Sequence, residues 1–365
     1  MLRPATLALV GLLALPSAGP LAQELRGTIR FDGSDRPAAG IIVEARDAAS
    51  GSRIANALTS ANGAFFLLLP APATVVLRGL RIGHRPTDFG TFTIATGEVR
   101  ILQLAVRDAP VQLARVYVVG RSVCGRTEGG GAQVLTLLEE ARKALVSTQL
   151  PSLGGELSAV YTVRRELQTA RGEARNTPMV VELRSRTDRP FQSLPADSLA
   201  KVGYFSNQRG NPAFYAPDAD VLLSPQFAEA HCFRTVPWTR DDRDWVGVGF
   251  RPAELRRGYV DIEGTIWLDR QSAELRLLEY LYVNRPSWVP GKRTGGEVGF
   301  LRLETGAWLV HQWRIRSPHA ELYRGRWRLY SYSVTGGDVR EVRQGGRLLF
   351  VADSGGVPKA RSSVP

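Results

Sequence analysis

One amphipathic helix, set between two long runs of β pattern, is the feature that most constrains this chain. Over residues 132–146, Val134, Leu135, Leu138, Ala141, Leu145 and Val146 fall near one face. Glu139, Glu140, Arg142 and Lys143 fall mostly on the other. Such a stripe predicts a helix that rests its apolar side on a core. A strand-like run at 116–119 precedes it, followed by Gly120, Cys124 and the glycines at 129–131. The stretch 111–150 therefore reads as a joint strand and helix between two β units.

Before the joint, short apolar runs recur at 25–29, 41–45, 54–59, 65–69, 74–80, 91–94 and 99–106. Turn signals separate them: Asp32-Gly33-Ser34-Asp35, Ser50-Gly51-Ser52 and Asn62-Gly63, which tolerates positive φ. Strands spaced by roughly 8–12 residues with Gly, Pro and Asn between them predict a β-sandwich of about seven strands over residues 23–110.

The same residues carry a family resemblance. Gly27, the run Arg36-Pro37-Ala38-Ala39-Gly40-Ile41-Ile42-Val43, Thr59 with Asn62-Gly63-Ala64-Phe65, Leu69-Pro70, and Arg81-Ile82-Gly83-His84 resemble the carboxypeptidase regulatory-like domain. The resemblance implies a transthyretin-like (prealbumin-like) sandwich with a structural or binding role and no chemistry of its own. Pro72-Ala73 departs from it, where the family has a glycine-tyrosine pair. The zinc catalytic domain that such modules accompany needs a His-x-x-Glu pair, and none of His84, His231, His311 or His319 has Glu three positions on. The run 111–120 also resembles the strand that opens the plug of TonB-dependent outer-membrane receptors. That likeness stops at Gly120.

After the joint, longer strand patterns appear at 159–167, 179–186, 245–250, 259–268, 275–283, 298–303, 308–315 and 326–334. Val260, Ile262, Ile266 and Leu268 alternate with other residues, as do Leu309, Trp313 and Ile315. Period-two alternation predicts antiparallel strands with one buried face. Residues 151–350 thus read as a large antiparallel sheet with the single helix packed on it. The segment 190–237 is Pro-rich and irregular, with a short helix expected at 225–230. A helix beside such a meander loosely resembles the half-barrel of periplasmic lipoprotein carriers. That resemblance implies a curved apolar face able to take a lipid or acyl chain. The competing expectation is a core covered by the helix and the 190–237 segment.

Export is read from the N-terminus. Met1-Leu2-Arg3 is a short positive region, 6–15 is apolar, and a small residue, Ala22, precedes a polar start. This predicts a secretory signal at 1–22 and a periplasmic, outer-membrane-associated or extracellular chain. No other run approaches the ~18 apolar residues of a membrane-spanning helix. In an oxidising compartment Cys124 and Cys232, the only cysteines, are expected to pair, the alternatives being free buried thiols or an intermolecular bond. Gly, Ser and Pro enrich 351–365, which reads as a disordered tail.

The formal charge is +12, and apart from Lys143, Lys201, Lys292 and Lys359 all 47 basic residues are arginine. They are dispersed and match no nucleic-acid motif. Ala230-His231-Cys232 and Asp353-Ser354-Gly355-Gly356 resemble the histidine and serine motifs of trypsin-like proteases, but Ala352 replaces the expected glycine. Asp32 with Asp35, and Asp241, Asp242 and Asp244, read as solvated turns. The tryptophans read as core or sheet-surface residues. No catalytic, metal or cofactor set emerges. The expectation is an exported, non-enzymatic cell-envelope protein with an apolar ligand or an envelope protein partner. The alternatives are a peptidase-associated hydrolase or an accessory of a TonB-dependent uptake system.

Overall fold

The computed structural model describes residues 23–116, 123–124, 131–148, 150, 157–169, 171–185, 191, 193–207, 213–289 and 294–352. Residues 1–22, where a signal was expected, all but Val116 of the run at 116–119, Gly129, Gly130 and the residues from 353 lie outside the described residues.

Seven strands build the first unit: β1 (Gln23–Phe31), β2 (Ile42–Asp47), β3 (Arg53–Leu58), β4 (Ala64–Leu69), β5 (Ala73–Leu80), β6 (Thr87–Ile94) and β7 (Val99–Val106). They form two sheets, ordered β4-β1-β7 and β3-β2-β5-β6. β1 runs antiparallel to β4 and parallel to β7. Alternate residues of each strand point inward, so Leu25, Ile29, Val43, Phe65, Leu67 and Leu77 meet in one core. Asn62-Gly63 does not close a hairpin. β3 and β4 lie in different sheets, and the turn is the corner between them. Gly63 has φ +76°, and a Cβ there would lie 2.3 Å from the Ile29 carbonyl oxygen, so the corner requires glycine. Buried Thr59 fixes the loop before β2: its Oγ1 donates to the Ala38 carbonyl (2.6 Å) and accepts from the Ile41 amide (2.9 Å).

The second unit continues with β8 (Val123–Cys124), α1 (Ala132–Ser147), β9 (Leu157–Gln168), β10 (Met179–Ser185), α2 (Ala196–Val202), β11 (Phe205–Ser206) and β12 (Ala213–Phe214). Then come α3 (Ala219–Leu223), α4 (Pro225–Ala230), β13 (His231–Pro237), β14 (Trp245–Pro252), β15 (Asp261–Asp269), β16 (Leu275–Val283) and β17 (Gly295–Arg302). It ends with β18 (Trp308–Tyr323), β19 (Arg326–Gln344) and β20 (Arg347–Val351). An antiparallel sheet of eleven strands is ordered β10-β9-β19-β18-β17-β16-β15-β14-β13-β8, with β20 against the end of β19. The mainly β fold, a sandwich followed by a large antiparallel sheet with a packed helix, is the expected one. The segment 190–237 is more ordered than its prolines suggested. α4 lies where a helix was expected, α2 and α3 precede it, and β13 pairs with β14 from His231 to Pro237. The tail is also shorter at its start than expected, because Val351 ends β20.

α1 lies across one face of this sheet, packed on β13 to β16 and β18. Its buried side differs from the expected stripe. Val134, Ala141, Leu145 and Val146 are buried as the period predicted, but Leu135 is 60% exposed and Leu137 takes its place in the core. Glu140 and Lys143, expected to face solvent, are buried. The cause is a second surface: the first unit covers the side of the helix away from the sheet.

That contact is specific. The Lys143 Nζ lies 2.6 Å from Glu140 Oε1 and donates to the carbonyls of Arg81 (3.2 Å) and His84 (2.8 Å). Glu140 Oε2 accepts from the Gly83 amide at 2.7 Å. Burial pushes the Glu140 carboxyl up, while the Lys143 charge pulls the other way. Ile42, Leu58 and Leu80 of the sandwich join the core of the second unit. At the turn before β18, a Cβ on Gly40 would lie 2.8 Å from the Gly306 Cα. The sandwich is therefore seated on the rim of the sheet. The sequence also suggests a hinge near residues 108–112. Instead Arg85 donates to the Ala109 carbonyl (2.9 Å) and Val111 to the Gly83 carbonyl (2.7 Å), so that segment is sewn to the sandwich.

Candidate functional site

The face of the sheet that carries α1 is apolar along its length. Tyr161, Val248, Leu278, Val298, Phe300, Leu309 and Trp313 contribute to it and join one core cluster with Leu137 and Leu145. α3 covers what α1 leaves. Asp218 sets its start, with Oδ1 accepting from the Val221 amide (3.0 Å) and Oδ2 accepting from the Ser193 amide (2.9 Å). Beneath α3, a cavity of about 40 Å³ remains between Leu222, Phe191 and the sheet residues Leu278, Val298, Phe300 and Val310. That is room for a water molecule or two and no more. The face is apolar, and the helices cover it.

Cys124 and Cys232 are bonded to each other, with Sγ atoms 2.01 Å apart. The two residues face each other across β8 and β13. The bond closes a loop of 108 residues that contains α1, β9, β10 and all three short helices.

The protease-like reading has no support at His231. Its Nδ1 is 2.9 Å from the Phe227 carbonyl oxygen, and its Nε2 faces Asp261 Oδ1 at 3.3 Å. Nε2 faces a carboxylate without bonding to it, and no hydroxyl among the described residues is hydrogen-bonded to either ring nitrogen. Nearby Ser224 is the cap of α4: its Oγ accepts from the Phe227 amide (3.1 Å) and donates to the Val221 carbonyl (2.7 Å). Ser354 lies outside the described residues.

The acidic turns are occupied by arginine. Asp35 meets Arg30 at 2.6 Å, Asp241 meets Arg243 at 2.6 Å, and Asp244 meets Arg270. Hydrogen bonds from Arg243 and Trp238 hold the Asp241 carboxyl well below the usual range. No cluster of three or more metal-ligating side chains forms among the described residues. The Trp238 ring lies within 5 Å of both Trp245 and Trp267, with Arg240 over Trp238 and Arg243 over Trp245. Trp308 and Trp313 are core residues. The tryptophans pack on the sheet or within it, as their strand pattern implied.

The feature that sequence reading missed is the approach of His231 to Asp261. The signal was an aspartate inside the apolar run Val260-Asp261-Ile262, where alternation assigned it outward. β15 begins under α2 and α4, so both neighbouring positions are buried there.

Comparison with known proteins adds little. No family model and no curated protein matches the chain. A solved structure of a candidate carbohydrate-binding protein from Bacteroides uniformis aligns over 69% of this chain and all of its own, at 9% identity and a TM-score of 0.21. A 9R-lipoxygenase from Cyanothece aligns over 81% of this chain and 44% of its own, at 9% identity and a TM-score of 0.17. Neither superposition is close enough to bear on fold or function.

Proposed function

We infer that this is an exported, non-enzymatic envelope protein whose large sheet binds an apolar ligand beneath α3. One observation carries the reading: the covered face of the sheet is apolar and continuous, and its cover at α3 is a helix of five residues. A cover that short is held by few groups and can be displaced locally. The resemblance of residues 23–106 to carboxypeptidase regulatory-like modules supports a sandwich used for spacing or docking. The antiparallel meander with a helix packed on it supports the likeness to lipoprotein carriers. The disulfide and the apolar segment at 6–15 support export.

The test is native mass spectrometry on protein purified without detergent, followed by titration with a fluorescent fatty acid. A co-purifying acyl lipid, or saturable uptake of the probe, is the expected result. Val310→Phe fills the residual space and is expected to weaken uptake about tenfold with the fold unchanged. A clean protein mass together with no uptake would overturn the proposal.

A further inference from the structure

A second cavity, which borders α3 at Val221 and shares no lining residue with the one beneath that helix, lies where α2, α4 and the first residue of β15 meet. Its volume is about 300 Å³, within the lower range of small-molecule pockets. Its walls are apolar and aromatic: Leu199, Tyr204, Val221 and Phe227. Asp261, 5% exposed, and His231, 2% exposed, form part of its lining.

The chemistry of those two residues is incomplete. His231 is held by stacking on Phe227, with ring centres 4.1 Å apart, and by the contact of Nδ1 with the Phe227 carbonyl. A carbonyl oxygen only accepts, so Nδ1 carries a proton. Nε2 is buried and makes no hydrogen bond. It lies 3.3 Å from Asp261 Oδ1 but is not aligned with it. Without a proton, Nε2 and the carboxylate are two acceptors facing each other. With one, the N–H lacks an aligned acceptor. The Asp261 Oδ1 accepts from the Ile262 amide at 2.8 Å. A buried Nε2 left in this state is costly unless a ligand reaches it.

The surroundings select the kind of donor. On a protein with a formal charge of +12, this cavity gathers carboxylates: Asp261 on its lining, and Glu229 and Glu254 exposed at its rim. The one arginine in the lining, Arg256, lies over the Tyr259 ring at 3.4 Å and donates to the Ala200 carbonyl at 3.3 Å. Burial, and then the charge of Asp261, push the Tyr204 hydroxyl well up, so it stays neutral beside the carboxylate. Aromatic walls around an anionic floor favour a cation with an apolar body.

We propose that this cavity binds a small organic cation, a primary ammonium on an apolar or aromatic body. Asp261 is its counter-charge and His231 the acceptor beside it. The site does not depend on the apolar-ligand reading, because the two cavities have no lining residue in common.

The test is calorimetric titration of the oxidised full chain with benzylammonium, benzyl alcohol and benzoate, which share one ring and differ in charge. Benzylammonium is expected to bind at least about tenfold more tightly than benzyl alcohol, and benzoate not at all. Asp261→Asn offers Nε2 a donor and removes the charge, so it is expected to abolish the preference for the ammonium. Should that variant not fold, the exposed pair Glu229→Gln and Glu254→Gln is expected to weaken benzylammonium about threefold and leave benzyl alcohol unchanged. Equal binding of the three probes, a preference for benzoate, or no binding would overturn the proposal. So would ammonium binding that survives the substitutions unchanged.

Discussion

The ammonium of Lys143 has three N–H donors, and three oxygens receive them: Glu140 Oε1 and the carbonyls of Arg81 and His84. At 1% and 2% side-chain exposure, neither member of the pair reaches water. The consequence is asymmetric. Removing the lysine alone strands a buried carboxylate, which costs about 3–5 kcal/mol, whereas replacing both with apolar groups can be nearly neutral. Lys143→Met is therefore expected to lower the unfolding free energy by about 3–5 kcal/mol, and Glu140→Leu with Lys143→Met by clearly less than the sum of the single changes. Urea denaturation of the four proteins in the cycle measures this. Strict additivity would mean that the pair is not the clasp between helix and sandwich.

At the scale of elements, the helix and its disulfide belong together. Closing a loop of about 100 residues restricts the unfolded chain by about 4–5 kcal/mol in the chain-entropy view. Thermal unfolding with and without reductant is expected to show that loss, and Cys124→Ser with Cys232→Ser is expected to match the reduced protein. Equal midpoints would show that the unfolded chain gains nothing from release. Much at this scale is legible in the residues alone. The seven sandwich strands, the run of β16 from Leu275 to Val283, α4 and the partner of each cysteine all follow from periodicity, turn residues and compartment. What is not legible depends on a second contact surface. Helical periodicity finds one apolar face, so it places Glu140 and Lys143 in water and Leu135 in the core. A loop of the sandwich about 60 positions earlier in the chain buries Glu140 and Lys143 instead. Asp261 is hidden for the same reason: its neighbours His231 and Tyr204 come from other elements.

For the molecule as a whole, the seating of the sandwich decides how it unfolds. Domains joined by a small polar contact move and melt separately. Here Ile42, Leu58 and Leu80 share the core of the sheet, and two glycine backbones meet at Gly40 and Gly306. Differential scanning calorimetry is expected to show one cooperative transition. Gly306→Ala sets a Cβ 2.3 Å from the Gly40 Cα on a backbone with φ +84°, and is expected to separate that transition into two. Two transitions in the unaltered protein would mean that the units are only tethered.

The strand order has a further consequence, for biosynthesis. Among the described residues, β9 and β10 join the rest of the large sheet only through β19, which pairs with β9 from Tyr332 to Gln344 and with β18 from Arg326 to Asp338. A chain emerging from its N-terminus can assemble the sandwich from its first hundred or so residues. The hairpin of β9 and β10, by contrast, waits for a partner made more than 150 residues later. The last long strand is the keystone of an arch whose first stones are laid at Val123 and Cys124. A ribosome that stops short of β19 releases a finished sandwich and an unfinished sheet.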